Sequence, residues 1–230
     1  MTLRRAFSRG AGAFVAAAVV SAVGAPAAPA TGPSSQGTHI AVIGDSYTEG
    51  SGEGGVGPHG WTEVAWRLLA QRGVHVDADV AAEGGAGYGQ PGMRGSIFED
   101  LTAQAVHRND VLVVYFGSRN DQPVDPVTLS NLTGGTFKLA RFAAPDAKIL
   151  VIGPPWPTVA PPPEVLRVRD ILRAQAQANG AVFIDPIAEN WFVSRPDLIG
   201  HDGVHPTDTG HVYMAERIAP LIYRQLTVGI

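Results

Sequence analysis

A serine near the start of the chain and an aspartate–histidine pair near its end have the residue types of a nucleophilic site. Ser46 follows the apolar run of residues 40–43 in the segment GDSYTEG, and Asp202 precedes His205 by three positions in DGVH. A serine hydroxyl is a poor nucleophile at neutral pH, so it needs an imidazole to accept its proton and a carboxylate to orient that imidazole. We therefore predict Ser46 as nucleophile, His205 as base and Asp202 as the orienting acid. The simplest alternative for Ser46 is a helix cap.

Nucleotide binding is a second hypothesis, because residues 50–55 and 87–92 both match the pattern G-x-G-x-x-G. A dinucleotide site needs its glycines directly at a strand-to-helix turn, where backbone N–H groups meet the pyrophosphate. Here residues 45–49 separate the first apolar run from the glycines. Asp77 lies about where a ribose-binding acid would fall. The spacing of the glycines nevertheless disfavours this hypothesis.

A metal site is a third hypothesis, because His201, Asp202, His205 and His211 cluster near the end of the chain. His201 and His205 share a face only if they lie on one helix. The intervening glycine interrupts the segment, and the proline after His205 disfavours helical backbone there. The chain has no cysteine, which excludes disulfides, thiolate ligands and a cysteine nucleophile. We predict no metal.

Strand-like and helix-like patterns alternate along the chain. The strand candidates, which are rich in Val and Ile as fully buried parallel strands are, lie at residues 39–43, 75–80, 111–116, 148–152 and 181–184. Apolar residues recur at helical spacing in residues 61–71, 95–107, 126–142, 163–179 and 206–226. This alternation predicts a doubly wound, parallel, five-stranded sheet. Ligands bind such sheets at the carboxyl ends of the strands, so the loops after the first three strands should meet there.

The composition separates an N-terminal leader from one globular domain at residues 38–230. In residues 1–30 three arginines precede an uncharged Ala/Val-rich run and two A-x-A sites, which predicts a signal peptide. Arg4 and Arg5 resemble a twin-arginine signal. The apolar run is shorter than the ~20 residues that a membrane span needs. Residues 31–37 read as a flexible linker, and we expect no stable membrane span after processing.

The net charge bears on possible partners. The chain has a formal charge of −4, and loss of residues 1–30, which hold three arginines and no acids, takes it to −7. An acidic protein is a poor candidate for nucleic-acid binding. We therefore expect no nucleic-acid partner.

Four motifs together resemble the SGNH hydrolase family, also called GDSL-type esterases and lipases. These are GDSY, the glycine-rich turn after the second strand, Asn120-Asp121 after the third, and the terminal D-x-x-H-P, which together span residues 40–206. The resemblance implies a flavodoxin-like, three-layer α/β/α fold and serine hydrolysis of esters without a cofactor. It also implies an oxyanion hole made by the backbone N–H groups of Ser46 and Gly87 and the side-chain amide of Asn120.

Two positions depart from the family pattern. Ser118 stands where the family usually has the glycine of G-x-N-D, which leaves the reach of Asn120 open. Ala82 stands where an asparagine often opens the second motif, so Gly84 or Gly85 is an alternative to Gly87 as donor.

The predicted function is an exported serine esterase that hydrolyses carboxylic esters through an acyl-enzyme at Ser46 and favours short acyl chains. Its substrate would be a small-molecule, glycan or lipid ester. Trp156, in the proline-rich loop after the fourth strand, is a candidate to flank the substrate, whereas Arg119 and Glu49 read as loop surface without a role. One alternative is a cell-envelope carbohydrate deacetylase or acyltransferase of the same family. Another is a non-catalytic envelope-binding protein.

Overall fold

The computed structural model describes residue 2 and residues 37–228 of the chain. Five parallel strands form one sheet in the order β2-β1-β3-β4-β5. The strands are β1 (Thr38–Gly44), β2 (Val76–Ala82), β3 (Leu112–Phe116), β4 (Lys148–Ile152) and β5 (Val182–Ile184). The helices are α1 (Ser46–Glu49), α2 (Trp61–Ala70), α3 (Phe98–Ala105), α4 (Pro126–Ala143), α5 (Pro163–Ala178) and α6 (Asp208–Thr227). The predicted doubly wound sheet is confirmed.

The apolar runs of the central strands are explained by helices on both faces of the sheet. In β1, the side chains of Ala41 and Ile43 pack in a cluster with α3, α4 and α5, while Ile40 and Val42 pack on the other face with α2 and α6. All four are fully buried. Because successive side chains of a strand point to opposite faces, a strand covered on both faces reads as a continuous apolar run. The three-layer α/β/α fold follows.

The two outer strands correct one detail of the sequence analysis, which expected every strand to be fully buried. β2 and β5 are the sheet edges, and Val80 and Val182 are 42% and 40% exposed. An edge strand has a neighbour on one side only, so part of its surface stays open to solvent.

The register of the strands places four loops at one edge of the sheet. Gly44 of β1 pairs with Ala82 of β2 and with Phe116 of β3, and Phe116 pairs in turn with Ile152 of β4. The chain therefore leaves all four strands at the same level. The segments that begin at Asp45, Glu83, Gly117 and Gly153 consequently lie together, as predicted for the carboxyl edge.

No helix within the described residues is long and apolar enough to cross a membrane. The predicted signal peptide and most of the predicted linker lie outside the described residues and stay predictions.

Candidate active site

Ser46 is the first residue of α1, the single helical turn that follows β1. The side chain of Asp45 caps this turn by accepting from the Tyr47 N–H at 2.9 Å, and the Asp45 carbonyl accepts from the Thr48 and Glu49 N–H groups, each at 2.9 Å. Capping is therefore done by Asp45, and the hydroxyl of Ser46 is left for another contact. The alternative of Ser46 as a helix cap is wrong.

The structure brings Ser46, His205 and Asp202 together. The distance from Ser46 Oγ to His205 Nε2 is 3.0 Å, and that from His205 Nδ1 to Asp202 Oδ2 is 2.5 Å. The other carboxylate oxygen of Asp202 accepts from the N–H groups of Val204 and His205 at 2.8 and 2.9 Å. This loop is closed by the bond from the Gly200 N–H to the His205 carbonyl at 2.7 Å. A folded loop thus holds the imidazole against the serine.

The electrostatics of Asp202 suit an orienting carboxylate. Burial acts to raise its pKa, but the hydrogen bonds from the side chain and N–H of His205 and from the N–H of Val204 outweigh burial and lower the pKa to about 2. Asp202 is therefore charged at neutral pH and accepts from the Nδ1 side of the ring. That tautomer leaves His205 Nε2 as the acceptor for the proton of Ser46.

Tyr47 connects the two halves of the site. Its hydroxyl donates to the carbonyl of Val204 at 2.5 Å, and its ring centroid lies 6.4 Å from that of His205. Tyr47 is 2% exposed. The residue next to the serine therefore anchors the loop that carries the histidine.

The three donors expected to form an oxyanion hole differ in the hydrogen bonds that they already make. The Ser46 N–H, at the start of α1, donates to no acceptor in residues 37–228. The Gly87 N–H donates to the carbonyl of Gln90 at 2.8 Å. The Asn120 amide donates to the carbonyl of Ala86 at 2.8 Å and to Asp45 Oδ2 at 3.3 Å. Gly87 and Asn120 can therefore bind an oxyanion only by exchanging a bond that they now make.

Of the two alternative donors, Gly84 lies close to the nucleophile. A Cβ built on Gly84 would be 3.9 Å from Ser46 Cβ. Its N–H, however, donates to Glu49 Oε2 at 2.5 Å, and Glu49 Oε1 pairs with Arg94 at 2.7 Å. Glu49, which the sequence analysis left without a role, thus positions the glycine-rich turn beside the serine.

Asp121, the second residue of the motif after the third strand, holds the other end of that turn. Its carboxylate accepts from the N–H groups of Tyr88, Gly89 and Gln90 at 2.9, 2.8 and 2.9 Å. Burial raises the pKa of Asp121, and these three bonds act against that rise. No spacing rule in the sequence could have paired this carboxylate with the turn.

Ser118, the departure from the family's glycine, supports Asn120. Its buried hydroxyl donates to the Ala86 carbonyl at 3.2 Å and accepts from the Asn120 N–H at 3.0 Å. The backbone and the side chain of Asn120 are therefore tied to the same carbonyl group, the backbone through the serine hydroxyl and the side chain directly.

Trp156 lies at the predicted edge, in the loop after β4. The guanidinium carbon of Arg119 is 4.3 Å from the centre of its ring, and its indole N–H donates to Thr158 Oγ1 at 3.1 Å. By contrast, Trp191 and Phe192 are each 1% exposed and belong to the core. Trp156 is instead partly exposed to solvent at this edge.

An apolar groove of ≈ 450 Å³ lies between the loop after β4 and the loop before His205. Its walls come from Pro157, Thr158, Val159, Val193, Ser194, Arg195, Pro196, Ile199, Gly200 and Gly203. Gly203 stands between Asp202 and His205, so one end of the groove adjoins the histidine loop. Across the described part of the chain, no group of three or more His, Asp or Glu side chains is arranged to hold a metal ion. A doubly wound fold with these groups at its carboxyl edge has the parts needed for acyl transfer.

Comparison with known proteins agrees with this arrangement. Residues 42–213 match the GDSL-like lipase/acylhydrolase family. Over 190 residues the chain is 61% identical to GDSL lipase Rv0518 of Mycobacterium tuberculosis, an alignment that covers 81% of this chain and 82% of that protein. The chain therefore belongs to the GDSL-like lipase/acylhydrolase family, and it is an ester-hydrolysing enzyme.

Solved structures share the fold at low identity. The psychrotrophic esterase EstA from Pseudoalteromonas sp. superposes with a TM-score of 0.64 at 15% identity, over 82% of this chain and 98% of that one. A family two carbohydrate esterase from Clostridium thermocellum, in complex with cellohexaose, has a TM-score of 0.64 at 19% identity over 82% of this chain. This chain spans 64% of the clostridial one, less than two-thirds of its length. At such identities the likeness shows the fold alone.

Proposed function

We propose that the protein is an exported serine esterase that cleaves carboxylic esters with short acyl chains through an acyl-enzyme at Ser46. The observation that carries the proposal is the continuous hydrogen-bonded chain from Ser46 Oγ to His205 Nε2, at 3.0 Å, and from His205 Nδ1 to Asp202, at 2.5 Å. A serine hydroxyl is activated when a base lies within hydrogen-bond distance of it and a carboxylate orients that base.

The proposed reaction has two halves. In the first, His205 takes the proton of Ser46 as the oxygen attacks the ester carbonyl, and then gives that proton to the departing alcohol. In the second, His205 takes a proton from water, the hydroxide attacks the acyl-enzyme, and the proton returns to Ser46 as the carboxylic acid leaves. Asp202 stays ionised throughout and stabilises the imidazolium.

The negative charge that develops on the carbonyl oxygen needs hydrogen-bond donors. The free N–H of Ser46 supports its role as the first donor, and we assign Gly87 and Asn120 as the other two. Asn120 would exchange its 3.3 Å bond to Asp45 for the oxyanion. Donors that are loosely bonded without substrate and tighten in the transition state are common in such sites. Loss of one typically costs ~3–4 kcal/mol of transition-state stabilisation.

Substrate contacts are proposed at Trp156, in the loop after β4, and in the groove that Gly203 helps to line. A second candidate function, deacetylation of a cell-envelope carbohydrate or acyl transfer to it, is favoured by the carbohydrate esterases among the proteins of the same fold. We place the protein outside the cytoplasm on the strength of residues 1–30, with small-molecule, glycan or lipid esters as substrates and no cofactor.

A fluorophosphonate probe tests the proposal directly, since it reacts only with an activated serine. We expect one adduct, mapped by mass spectrometry to Ser46 and absent in Ser46→Ala. The matched control is Ser51→Ala, a nearby serine whose hydroxyl accepts from the Glu53 N–H at 3.1 Å. Folded protein that takes no label would contradict the esterase and favour a non-catalytic binding protein. Acetate release from acetylated glycans, compared with simple acetate esters, separates the two candidate enzymes.

A further inference from the structure

Arg119 lies near Asp45 and Tyr47, the residues on either side of the proposed nucleophile, and it forms no ion pair within residues 37–228. It belongs to the loop after β3, and the next residue, Asn120, donates to Asp45 Oδ2 at 3.3 Å, one position before Ser46. Its guanidinium also acts on the pKa of Tyr47: burial raises that pKa to about 12, and Arg119 opposes the rise. The charge of Arg119 is therefore close to the residues on both sides of Ser46.

No acid forms an ion pair with Arg119 in residues 37–228, although Asp45 is close enough for the charge of Arg119 to act on its pKa. The ion pairs there do not include Arg119, although Arg94, Arg169, Arg173 and Arg195 each pair with a carboxylate. Nη1 of Arg119 is buried and has no hydrogen-bond partner among the described residues. Burial raises the pKa of Asp45 to about 7, so that carboxyl is only partly charged at neutral pH. Asp202 is already hydrogen-bonded to His205.

The ring of Trp156 positions the guanidinium of Arg119. The guanidinium carbon is 4.3 Å from the centre of the indole ring, a distance at which the ring face attracts a cation. Arg119 as a whole is only partly buried, so part of the side chain is open to solvent. A planar guanidinium held in this way is suited to carboxylate oxygens, which it can bind through two parallel N–H bonds. A guanidinium that is partly exposed and has no ion-pair partner within residues 37–228 can form a salt bridge with a carboxylate of a ligand.

We propose that Arg119, held against Trp156, binds a carboxylate carried by the substrate, so that the enzyme prefers esters with a negative charge near the scissile bond. This inference rests on the proposed hydrolysis at Ser46. The charged group belongs either to the acyl part or to the alcohol part of the ester. Both sources present the same chemistry to the guanidinium.

Two pairs of esters distinguish the sources. In the acyl pair, p-nitrophenyl hydrogen glutarate is compared with p-nitrophenyl methyl glutarate, and in the alcohol pair, 4-acetoxybenzoate is compared with its methyl ester. All rates are corrected with a Ser46→Ala blank. We expect kcat/KM to be about tenfold higher for the anion in one pair, mainly through KM, and the advantage to shrink at high salt.

Arg119→Met should remove that preference and leave the neutral esters within about threefold of wild type, while Arg119→Lys should keep part of it. The control is Arg72→Met, since Arg72 also lies over an aromatic ring, at 5.5 Å from the centre of Tyr223, but at the opposite end of α2 from the site. It should keep the full preference. Equal rates for anion and neutral ester in both pairs, or an equal loss on both in Arg119→Met, would overturn the proposal.

Binding is measured separately from catalysis, so that failure of the proposed esterase function can be distinguished from failure of the carboxylate site. Calorimetry of p-nitrophenyl hydrogen glutarate and of 4-acetoxybenzoate with Ser46→Ala should show at least one binding more tightly than its methyl ester. If the wild type hydrolyses none of the four esters, the esterase proposal fails and this measurement alone decides the carboxylate site. The same calorimetry tests the carboxylate site if Arg119→Met does not fold. Equal binding of anion and methyl ester in both pairs would refute the carboxylate site.

Discussion

At the scale of single residues, the contacts of Ser46, His205 and Asp202 form one relay in which each member depends on the next. Asp202 accepts from two backbone N–H groups as well as from the ring, so its position is set by the loop itself. The imidazole is then held by Asp202 at one nitrogen and meets Ser46 at the other. Removing any member should therefore disable the whole.

The first prediction follows from this dependence. Ser46→Ala and His205→Ala should each lower kcat/KM for p-nitrophenyl acetate by ~10³-fold or more, and the double variant should lose little beyond either single one. The control is His201→Ala, four residues earlier in the same loop, where the side chain is exposed and activity should stay within about twofold of wild type. Losses that multiply in the double variant would contradict a shared mechanism.

His211 gives a second prediction, on stability. The ring is fully buried, its Nδ1 accepts from the Trp61 N–H at 3.3 Å, and burial lowers its pKa to about 4, against the opposing charge of Asp208. An unfolded histidine titrates near ~6.5, so between these values the unfolded chain binds the extra proton. The stabilisation by neutral His211 is thus full above pH ~6.5 and is lost as the pH falls toward about 4.

The test is urea unfolding of wild type and His211→Asn from pH 4 to 8. The difference in their free energies of unfolding should grow with pH by at most ~1.4 kcal/mol per unit up to about 6.5, and stay constant above 7. Taking the difference removes the contributions of other groups, such as Asp45. A difference for His211→Asn that does not change with pH would mean that the buried ring is protonated without cost.

At the scale of elements, the site depends on turns that are held by buried carboxylates. The turn at residues 87–90 wraps around Asp121, whose two oxygens accept three backbone N–H groups. The approach is close: a Cβ built on Gly87 would lie 2.5 Å from Asp121 Oδ1. The glycine is therefore required by contact with the carboxylate, independently of any role of its N–H in catalysis.

Asp121→Asn is the third prediction. An amide has one acceptor oxygen, so its NH₂ group must face at least one backbone N–H of the turn, and we expect a loss of ~1–3 kcal/mol in the free energy of unfolding together with reduced kcat. Asp125→Asn is the control, because Asp125 accepts two N–H groups at the exposed start of α4. It should lower the free energy of unfolding by less than Asp121→Asn does, and it should leave kcat unchanged. Equal effects of the two variants would show that the buried turn has no special demand for a carboxylate.

Elements with a clear physical signal were predictable from the sequence. The central strands stand out because helices cover both faces, and the predicted range of β4 agrees with the structure at both ends. α1 was missed because a four-residue turn is too short to show helical periodicity. The third helix was predicted from residue 95 but begins at Phe98, because Gly95 has φ +94° and ends a turn closed by the bond from its N–H to the Gly92 carbonyl.

Some features of the site were likewise predictable from the sequence, and others were not. Ser46, Asp202 and His205 could be proposed because their chemistry requires partners of fixed type, whichever segments carry them. The bonds that now occupy Asn120 and Gly87 depend on where a carbonyl of a neighbouring turn points, which no residue type reveals. That Arg119 forms no ion pair within residues 37–228 could not be predicted either, since it depends on every residue around the guanidinium.

At the scale of the whole molecule, the first open question is where the mature chain begins. Residues 1–30 contain the sequence features of a signal peptide, and β1 begins at Thr38. Our fourth prediction is that exported protein starts between Ala28 and Thr31, as N-terminal sequencing will show. Changing both Arg4 and Arg5 to lysine should block export by a twin-arginine route, whereas the same change at Arg9 alone should not. A mature chain that keeps residues 11–23 would mean that the segment anchors the protein.

The fifth prediction concerns acyl length, which depends on the apolar surface that the whole fold leaves open beside Ser46. Trp191 and Phe192 are buried in the core, so they offer no apolar surface to an acyl chain. The apolar groove of ≈ 450 Å³ that adjoins the histidine loop is bounded on one side by Val159, itself 80% exposed. Each buried methylene contributes ~0.8 kcal/mol, or about fourfold in kcat/KM, only while wall surrounds it. The gain should therefore stop within the first few carbons.

The measurement is kcat/KM for p-nitrophenyl esters from acetate to palmitate, below any micelle threshold. We expect a maximum among the short chains and a decline beyond it. Val159→Ser should flatten the initial rise, because it removes apolar wall from the groove. Val111→Ser is the matched control, since Val111 is 44% exposed just before β3, at the opposite edge of the sheet, and the profile should not change. A maximum at the long end of the series would show that the groove continues past Val159 and would define the enzyme as a lipase.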